Sequence, residues 1–599
     1  MYNDLIMNNI DKNNTINTTK AANVTTDVMK VECLKDIEKC VQEQKTKLNI
    51  NKFIAQKKES NVVLLQKNNR PVLTQTLNTN PNKLPFLQAQ ILRQIYLNIS
   101  EKKEITTELL SELTGYPKES KILADAIKML ADKGFIEGGI IPGFNIPENR
   151  LDLFIKIVQR NDPKYKNYSE KIIKFAESKD DIVQAFSSTL FKCEQTISDL
   201  NKFGVVHKWY DYLEDFPYSL IEEKIIEYKL KQESLVVDPF AGSGTTLVSA
   251  NLFKCNAIGF DANPLMTFIS EVKTTWDIDL VRFKKEISCI SKRFVKEIHN
   301  FDPLKYDSGF IKVMPKKEIN QWLSTVLQKE VMLLKNLIGE IKDNKIKNLL
   351  LMAVSKSCFE ASYVSLCPGT TFYPFREKDD FWDLFTDKVI QIYTDLKVIQ
   401  KHNHYGKSGL ITDTCLNAKK YLKPESIDFI VTSPPYPNDL EYTRQTRLEL
   451  YLLDFVKSMN DVQQIKRKMV KGSTKLIFKE SNSEKFIKKF EDVKIISAQI
   501  YEQTKDKNWG FDYPRMVREY FGDMYLCMQE FYDLMKKDAN FLLVVGDQTI
   551  KGVYIPVCDI LIKMAREIGY KNCRKELFRM RRSTGHNVLL PEEIIIIQK

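Results

Sequence analysis

The spacing of apolar positions changes several times along the chain, and each change marks a boundary. Residues 1 to 80 are polar and rich in Lys and Asn, with no sustained apolar repeat beyond a short helical pattern from Val31 to Gln44. So few large apolar side chains cannot offset the entropy of ordering, which predicts a partly disordered leader. From 81 to 150 the period becomes helical. Ile91, Leu92, Ile95 and Leu97 share one helix, Leu109 and Leu110 belong to a short second one ending at Gly115, and Ile122, Ala126, Ile127, Met129 and Leu130 form a third. Gly134-Phe135-Ile136-Glu137 and a Gly-Gly turn follow, so the segment reads as a winged-helix-like domain whose third helix suits a major groove. A three-helix packing or dimerisation module fits the same pattern, and Lys121, Lys128 and Lys133 suit either phosphate contacts or a solvated face. Residues 151 to 204 read as an amphipathic helical linker.

Beyond 205 strands and helices alternate. A turn at Phe216-Pro217 feeds a helix through Leu220, Ile221, Ile225 and Ile226. The apolar strand Leu235-Val236-Val237 follows, then a Gly-rich turn, a helix through Leu247, Ala250 and Leu252, and a second strand, Ala257 to Phe260, ending at Asp261. Residues 265 to 405 break the alternation with helical periodicity, strongest at Ile319–Leu323 and Leu349–Met352; the length exceeds any ordinary loop and predicts a helical subdomain inserted into the fold. Strands resume with Leu410-Ile411-Thr412 and Ile427 to Val431. A helix from Phe511 to Leu534, a buried strand Phe541 to Val545, a helix from Asp559 to Ile568 and a strand at Glu576-Leu577-Phe578 complete an α/β, Rossmann-like doubly wound sheet. Its two halves are 205–264 and 406–599, and the basic, weakly periodic stretch 455–510 reads as a specificity segment.

Composition sharpens this picture only in part. A net charge of +12, from 90 Lys+Arg against 78 Asp+Glu, favours a polyanionic partner, although Lys- and Asn-rich coding bias produces the same excess. Eleven cysteines without a C-x-x-C pair indicate neither a zinc site nor a disulfide framework, and His402-Asn403-His404 lacks acidic or cysteine partners, so no metal is expected. With no secretory signal and no run of eighteen apolar residues, the expectation is a soluble, cytoplasmic protein that does not engage a membrane.

Two stretches carry chemistry. In Thr432-Ser433-Pro434-Pro435-Tyr436 the prolines end a strand, because each lacks a backbone donor and fixes its own φ, and the loop then lies at the carboxyl edge of the sheet, where open α/β folds bind ligands. Ser433 oxygen and the Pro434 carbonyl can accept both hydrogens of an exocyclic amino group while the Tyr436 ring stacks on a planar base. A plain Pro-Pro turn with a packed tyrosine is the competing reading. In Asp238-Pro239-Phe240-Ala241-Gly242-Ser243-Gly244-Thr245-Thr246, Gly242 and Gly244 let a ligand lie against backbone. Leu247 stands where a dinucleotide fingerprint needs its third glycine, and no lysine follows Gly244 as in a phosphate loop, so a ligand without a pyrophosphate is favoured. Asp261 sits where acidic residues bind a ribose diol, or acts as an ordinary strand-end cap.

DPFAGSGTT followed by TSPPY resembles the amino-methyltransferases of DNA, and SPPYPNDLEYTRQTRLELYLL extends the likeness beyond the short motif. The resemblance covers about 205 to 599 and implies a methyltransferase sheet with S-adenosyl-L-methionine as cofactor and double-stranded DNA as substrate. It implies that the Gly242–Thr245 turn, with Asp238 and Phe240 beside it, holds the methionine part, that Asp261 holds the ribose, and that Asp413 meets the adenine; a strand-end cap for Asp413 and a core position for Phe240 are the alternatives. The segment from His207 to Ile225 is similar to the motif that closes the methionine side. Ser433, Pro434, Pro435 and Tyr436 are then catalytic, and Arg444 and Arg447, on one helical face, grip phosphates beside an extruded base or pair with Glu441 or Glu449. Relatives with Ser before Pro-Pro-Tyr usually act on cytosine N4, against adenine N6 for Asp or Asn. An RNA amino-methyltransferase and a non-catalytic winged-helix DNA-binding protein are the rival readings. A partner restriction or defence nuclease is in keeping with the family. The glycine turn precedes the Pro-Pro loop by roughly 190 residues, the reverse of the order in many relatives.

Overall fold

The central strands are short apolar runs buried on both faces, as a parallel sheet covered by helices requires. The computed structural model describes residues 124–128, 165–177, 201, 204–212, 216–298, 301, 313–365, 371–372, 380–402, 404–507, 510, 512–582 and 588–599. The expected leader and nearly all of the expected winged-helix-like domain lie outside the described residues; residues 124–128, within its third helix, are helical.

The strands are β1 (Leu235–Asp238), β2 (Asn256–Phe260), β3 (Val364–Ser365), β4 (Thr371–Phe372), β5 (Ser408–Ile411), β6 (Ile427–Thr432), β7 (Met535–Gly546), β8 (Gln548–Ile550), β9 (Val553–Ile555), β10 (Lys571–Arg582) and β11 (Leu589–Gln598). Seven form one sheet in the order β10-β11-β7-β6-β1-β2-β5. Neighbours from β7 through β5 pair parallel, and β11 runs antiparallel to both β7 and β10. Strand β11 was not anticipated from the pattern; its Ile594–Ile597 run fills the place between β7 and β10. The chain moves outward from β1 through β2 to β5 and then returns to the other side of β1 as β6. That reversal leaves a crevice beyond the carboxyl ends of β1 and β6, the usual ligand position in open α/β sheets.

Helices α1 (Tyr165–Glu177), α2 (Tyr218–Glu227), α3 (Thr245–Leu252) and α4 (Pro264–Lys273) precede the insertion, which contains α5 (Leu280–Glu297), α6 (Lys316–Trp322), α7 (Thr325–Gly339), α8 (Asn344–Ala361) and α9 (Phe381–Gln400). After the Pro-Pro loop come α10 (Tyr442–Gln445), α11 (Arg447–Leu452), α12 (Met459–Lys468), α13 (Glu491–Thr504), α14 (Tyr513–Leu534) and α15 (Val557–Ile568). Alternate residues of each strand feed opposite layers. Val236, Phe429, Val431, Leu542 and Ile596 pack against α2 and α3, while Val237, Ile430, Phe541, Leu543 and Ile595 pack against α14 and α15. The stretch expected as a specificity segment is largely helical, with α13 laid along α14.

The insertion has its own apolar core, built on Phe283, Ile287, Phe294, Leu334, Leu350, Trp382 and Phe385, and it is joined to α4 and α11. Helix α1, from the expected linker, packs on it through the edge-to-face contact of Phe175 with Tyr393. No helix among the described residues is long and apolar enough to cross a membrane.

Strands β1 and β6 are also joined by side chains. Asp428 Oδ2 accepts the Leu235 amide at 2.8 Å near their start, and Asp238 Oδ1 accepts the Thr432 hydroxyl at 2.5 Å at their end. Asp238 is buried and also accepts the Phe240 amide at 3.0 Å, so removing it strands the buried Thr432 hydroxyl and the half-buried Phe240 amide. Asp238→Ala should therefore cost roughly 2–4 kcal/mol in urea denaturation; a loss below about 0.5 kcal/mol would show that this junction contributes little.

Candidate active site

The glycine turn starts where Pro239 ends β1. Gly242 and Gly244 take φ values of 49° and 87°, which L side chains adopt only at a cost. A Cβ on Gly244 would also lie 2.9 Å from Ser270 Oγ, because α4 packs directly on the turn and Ser270 donates to the Gly242 carbonyl at 2.8 Å. The turn is thus fixed from behind and opens forward at the start of α3, where the helix dipole favours a negative group.

Asp261, at the end of β2, closes one side. Its Oδ2 accepts the Gly242 amide at 3.0 Å and its Oδ1 accepts the Asn263 amide at 2.8 Å. Burial pushes its carboxyl up to about 6, against those two hydrogen bonds, and the Asp238 charge adds to the rise. Each carboxylate oxygen keeps a further acceptor position, an acceptor pair that fits the two hydroxyl donors of a ribose diol.

The segment 204–212 covers the opposite side and is held by the insertion. Val206 has φ 68°, a conformation that costs a β-branched residue of order 1–3 kcal/mol. Its amide donates to Asp395 of α9 at 2.9 Å, and Trp209 Nε1 donates to the same oxygen at 2.8 Å. Burial pushes Asp395 up to about 6 against these bonds. Tyr210 donates to the buried Glu449 at 2.7 Å, and Lys356 of α8 donates to the Asp211 carbonyl at 3.0 Å. The buried Lys273 ammonium reaches both the Tyr210 carbonyl and Ser243 Oγ, at 3.4 and 3.3 Å, joining this segment to the glycine turn.

The Pro-Pro loop leaves β6 immediately after Thr432. Tyr436 donates to Glu592 Oε1 at 2.8 Å, and the Arg581 guanidinium lies 5.5 Å from the centre of its ring. Burial, then the Glu592 charge, holds the Tyr436 phenol well above its ordinary range, so it remains a neutral donor. Gly472 backs the loop, since a Cβ there would come 2.7 Å from the Tyr436 carbonyl oxygen.

These parts enclose one cleft of about 1230 Å³, open mouth included. Ser433, Pro434, Pro435 and Tyr436 line it together with Phe240, Gly242, Thr245 and Asp261. Gly244 and Asp238 do not line it. Asp413 stands behind the wall, where Asn417, Tyr421 and Lys468 surround its carboxylate; Thr414 and Cys415 form the lining beside it. Desolvation raises the Asp413 carboxyl, but hydrogen bonds from Asn417, the Thr414 backbone and Tyr421 hold it below its ordinary range. Tyr212 and Phe216, within the segment expected to close the methionine side, line the cleft as well.

The two arginines are placed differently from the expectation. They do not share a continuous helix, because α10 ends before Thr446 and α11 begins after it. Arg447 turns inward and donates to Glu318 of α6 at 2.8 Å, with only 14% of its side chain exposed. The carboxylates expected to compete for it have other partners, Lys466 for Glu441 and Tyr210 for Glu449. Arg444 is exposed. Asn263, Lys468, Arg579 and Glu592 also line the cleft and were not singled out as site residues from the sequence. They are single polar residues from separate elements, and only the folded sheet assembles them.

A family model described as DNA methylase matches residues 37–269, which include the glycine turn and Asp261 and end before the Pro-Pro loop. The chain is 26% identical over 433 residues to the type II methyltransferase M.BsoBI of Geobacillus stearothermophilus, covering 64% of this chain and 82% of that protein. M.AvaI of Nostoc sp. is 26% identical over 396 residues, with 62% and 80% covered, and M.MvaI of Kocuria varians 23% over 397 residues, with 60% and 83% covered. These likenesses support an amino-methyltransferase of the N4/N6 family. The methyl donor of this methyltransferase is S-adenosylmethionine and its substrate is DNA.

If Asp261 meets the donor's ribose, its protonation is read out by binding. Above pH 7 the carboxylate is ionised and accepts both hydroxyls; as pH falls through about 6 it takes up a proton and loses acceptor capacity. Calorimetry with S-adenosylhomocysteine should show affinity falling with pH across that window, and Asp261→Asn should bind weakly without the slope; an unchanged slope in the variant would contradict this. Arg447→Ala should cost about 1–3 kcal/mol of stability, because Glu318 is left half-buried without its cation. Denaturation and DNA affinity measured together test this, and a DNA-binding loss at wild-type stability would be the opposite result.

Proposed function

We propose that this methyltransferase acts on the N4 amino group of cytosine within a specific DNA site, as a type II enzyme working beside a nuclease that cuts the same site. The observation that carries the reading is Ser433, and not Asp or Asn, ahead of Pro434-Pro435-Tyr436 in a cleft shared with the glycine turn. The name type II methyltransferase, carried by M.BsoBI, M.AvaI and M.MvaI, supports a site-specific enzyme.

An amino nitrogen on a pyrimidine ring is a poor nucleophile, because its lone pair is conjugated into the ring. Ser433 oxygen and the Pro434 carbonyl accept its two hydrogens, and fixing both N–H bonds turns the lone pair out of the loop towards the donor side of the cleft. Pro434 and Pro435 keep those acceptors still, since neither ring can rotate its φ. Tyr436, held by Glu592 and Arg581, offers its ring to the unstacked base. S-adenosylmethionine, when bound, supplies a methyl group on a sulfonium sulfur that needs no further activation. Phe240, Gly242, Thr245 and Asp261 would hold it, with Tyr212 and Phe216 closing over it.

Methylation at a ring carbon would need a thiolate nucleophile. Cys415 lines the cleft, but burial and then its bond with Cys527, 3.6 Å away, keep its thiol protonated. The neutral acceptors of the Pro-Pro loop instead suit direct transfer to nitrogen, in which the N–C bond forms as the sulfonium S–C bond breaks and the amino nitrogen then gives up one proton to solvent.

Ser433→Ala and Tyr436→Ala should lower kcat roughly 10²- to 10³-fold while affinity for S-adenosylhomocysteine stays within about twofold. Digestion of methylated DNA and nucleoside mass spectrometry should give N4-methylcytosine. A product of N6-methyladenine, or full turnover in either variant, would remove the reading.

A further inference from the structure

The antiparallel pair β10–β11 carries a register shift between Leu577 and Arg579, so that Leu577 faces Glu593 while Arg579 faces Glu592. A bulge of this kind re-aims a side chain, and here it sets Arg579 on the cleft wall with Val544, Glu592 and the Pro-Pro loop. Glu592 is 4% exposed and bridges two cleft residues: Oε1 accepts the Tyr436 hydroxyl at 2.8 Å and Oε2 accepts Arg579 Nε. Tyr436 and Arg579 are therefore set by one carboxylate.

The neighbouring Arg581 is committed elsewhere, its Nη2 bonded to the Asp547 carbonyl at 2.8 Å and its guanidinium against the Tyr436 ring. Arg579 is not. Its one polar contact among the described residues is Nε with Glu592, its Nη atoms meet no acceptor there, and 55% of the side chain is exposed. A guanidinium anchored at Nε presents the remaining N–H groups as a planar fork suited to two adjacent acceptors.

We infer that Arg579 reads the extruded base, its Nη groups donating to ring N3 and O2 of the cytosine whose amino group the Pro-Pro loop holds. The inference rests on the cytosine reading above and explains how the cleft distinguishes that base. Cytosine places N3 and O2 on the edge that also carries its amino group, so one fork reaches both. Adenine offers N1 beside its amino group and then a C–H, leaving the second donor without a partner. Glu592 acts here as a positioning residue, coupling the base-reading arginine to the tyrosine under the base. The competing account is that Arg579 only neutralises Glu592, and Arg579→Lys separates the two because it keeps the cation and removes the fork.

The test uses the full chain, the DNA site that the wild type methylates, and the same oligonucleotide with 3-deazacytosine at the target. Arg579→Lys should keep its melting temperature and S-adenosylhomocysteine affinity while kcat/KM on normal DNA falls roughly 10- to 100-fold. The wild type should lose a similar factor on the 3-deaza substrate, and the variant should lose less than about threefold more, since the partner of its missing fork is already gone. Wild-type kcat/KM in Arg579→Lys, or losses that multiply in full, would overturn the inference while N4-methylcytosine as product kept the reading of the base. N6-methyladenine from the wild type would overturn both.

Discussion

Strands β1 and β6 lie side by side, in register at Val236 with Phe429 and Val237 with Ile430, and end at the same height. The hydrogen bond from Thr432 to Asp238 closes that end, and every functional element is placed relative to it. One residue beyond Asp238 the chain enters the glycine turn, and one residue beyond Thr432 it enters the Pro-Pro loop. Parallel pairing of apolar strands brings two motifs separated by roughly 190 residues to one crevice. Their order along the chain is immaterial to this, because hydrogen-bonded neighbours in a sheet need not be neighbours in sequence.

Around this junction the walls are built on buried or half-buried carboxylates that serve backbone amides and hydroxyls more than they serve cations. Asp261 fixes the glycine turn, Asp395 fixes the strained Val206 segment, and Glu592 fixes Tyr436. Burial raises the first two to about 6, against the hydrogen bonds from local donors that satisfy each. The helical insertion has a definite part in this. Through Asp395, Lys356 and Glu318 it holds the segment over the donor side and the helix after the Pro-Pro loop, which makes it a buttress of the cleft walls.

The sheet was legible in the sequence because its central strands are apolar runs ended by Asp-Pro or Pro-Pro, signals that act within a few residues. Ser433 through Tyr436, with Phe240, Gly242, Thr245 and Asp261, could be named for the same reason, and they share one cleft. Positions set by distant partners were not legible. Arg447 has the spacing of a phosphate contact, yet its partner is Glu318, 129 residues away. Arg579, Arg581 and Arg582 follow Phe578 with nothing local to tell them apart, and only the bulge and Glu592 distinguish Arg579 from Arg581.

The account requires the donor and the base to meet at the open ends of β1 and β6. A crystal structure with S-adenosylhomocysteine and a target oligonucleotide measures this directly. The donor's sulfur should lie over the Gly242–Thr245 turn, with the target amino nitrogen against Ser433 and the Pro434 carbonyl, the two separated by little more than the roughly 3–3.5 Å of a reacting contact plus the missing methyl. A donor bound away from that turn, or a base seated outside the Pro-Pro loop, would contradict it.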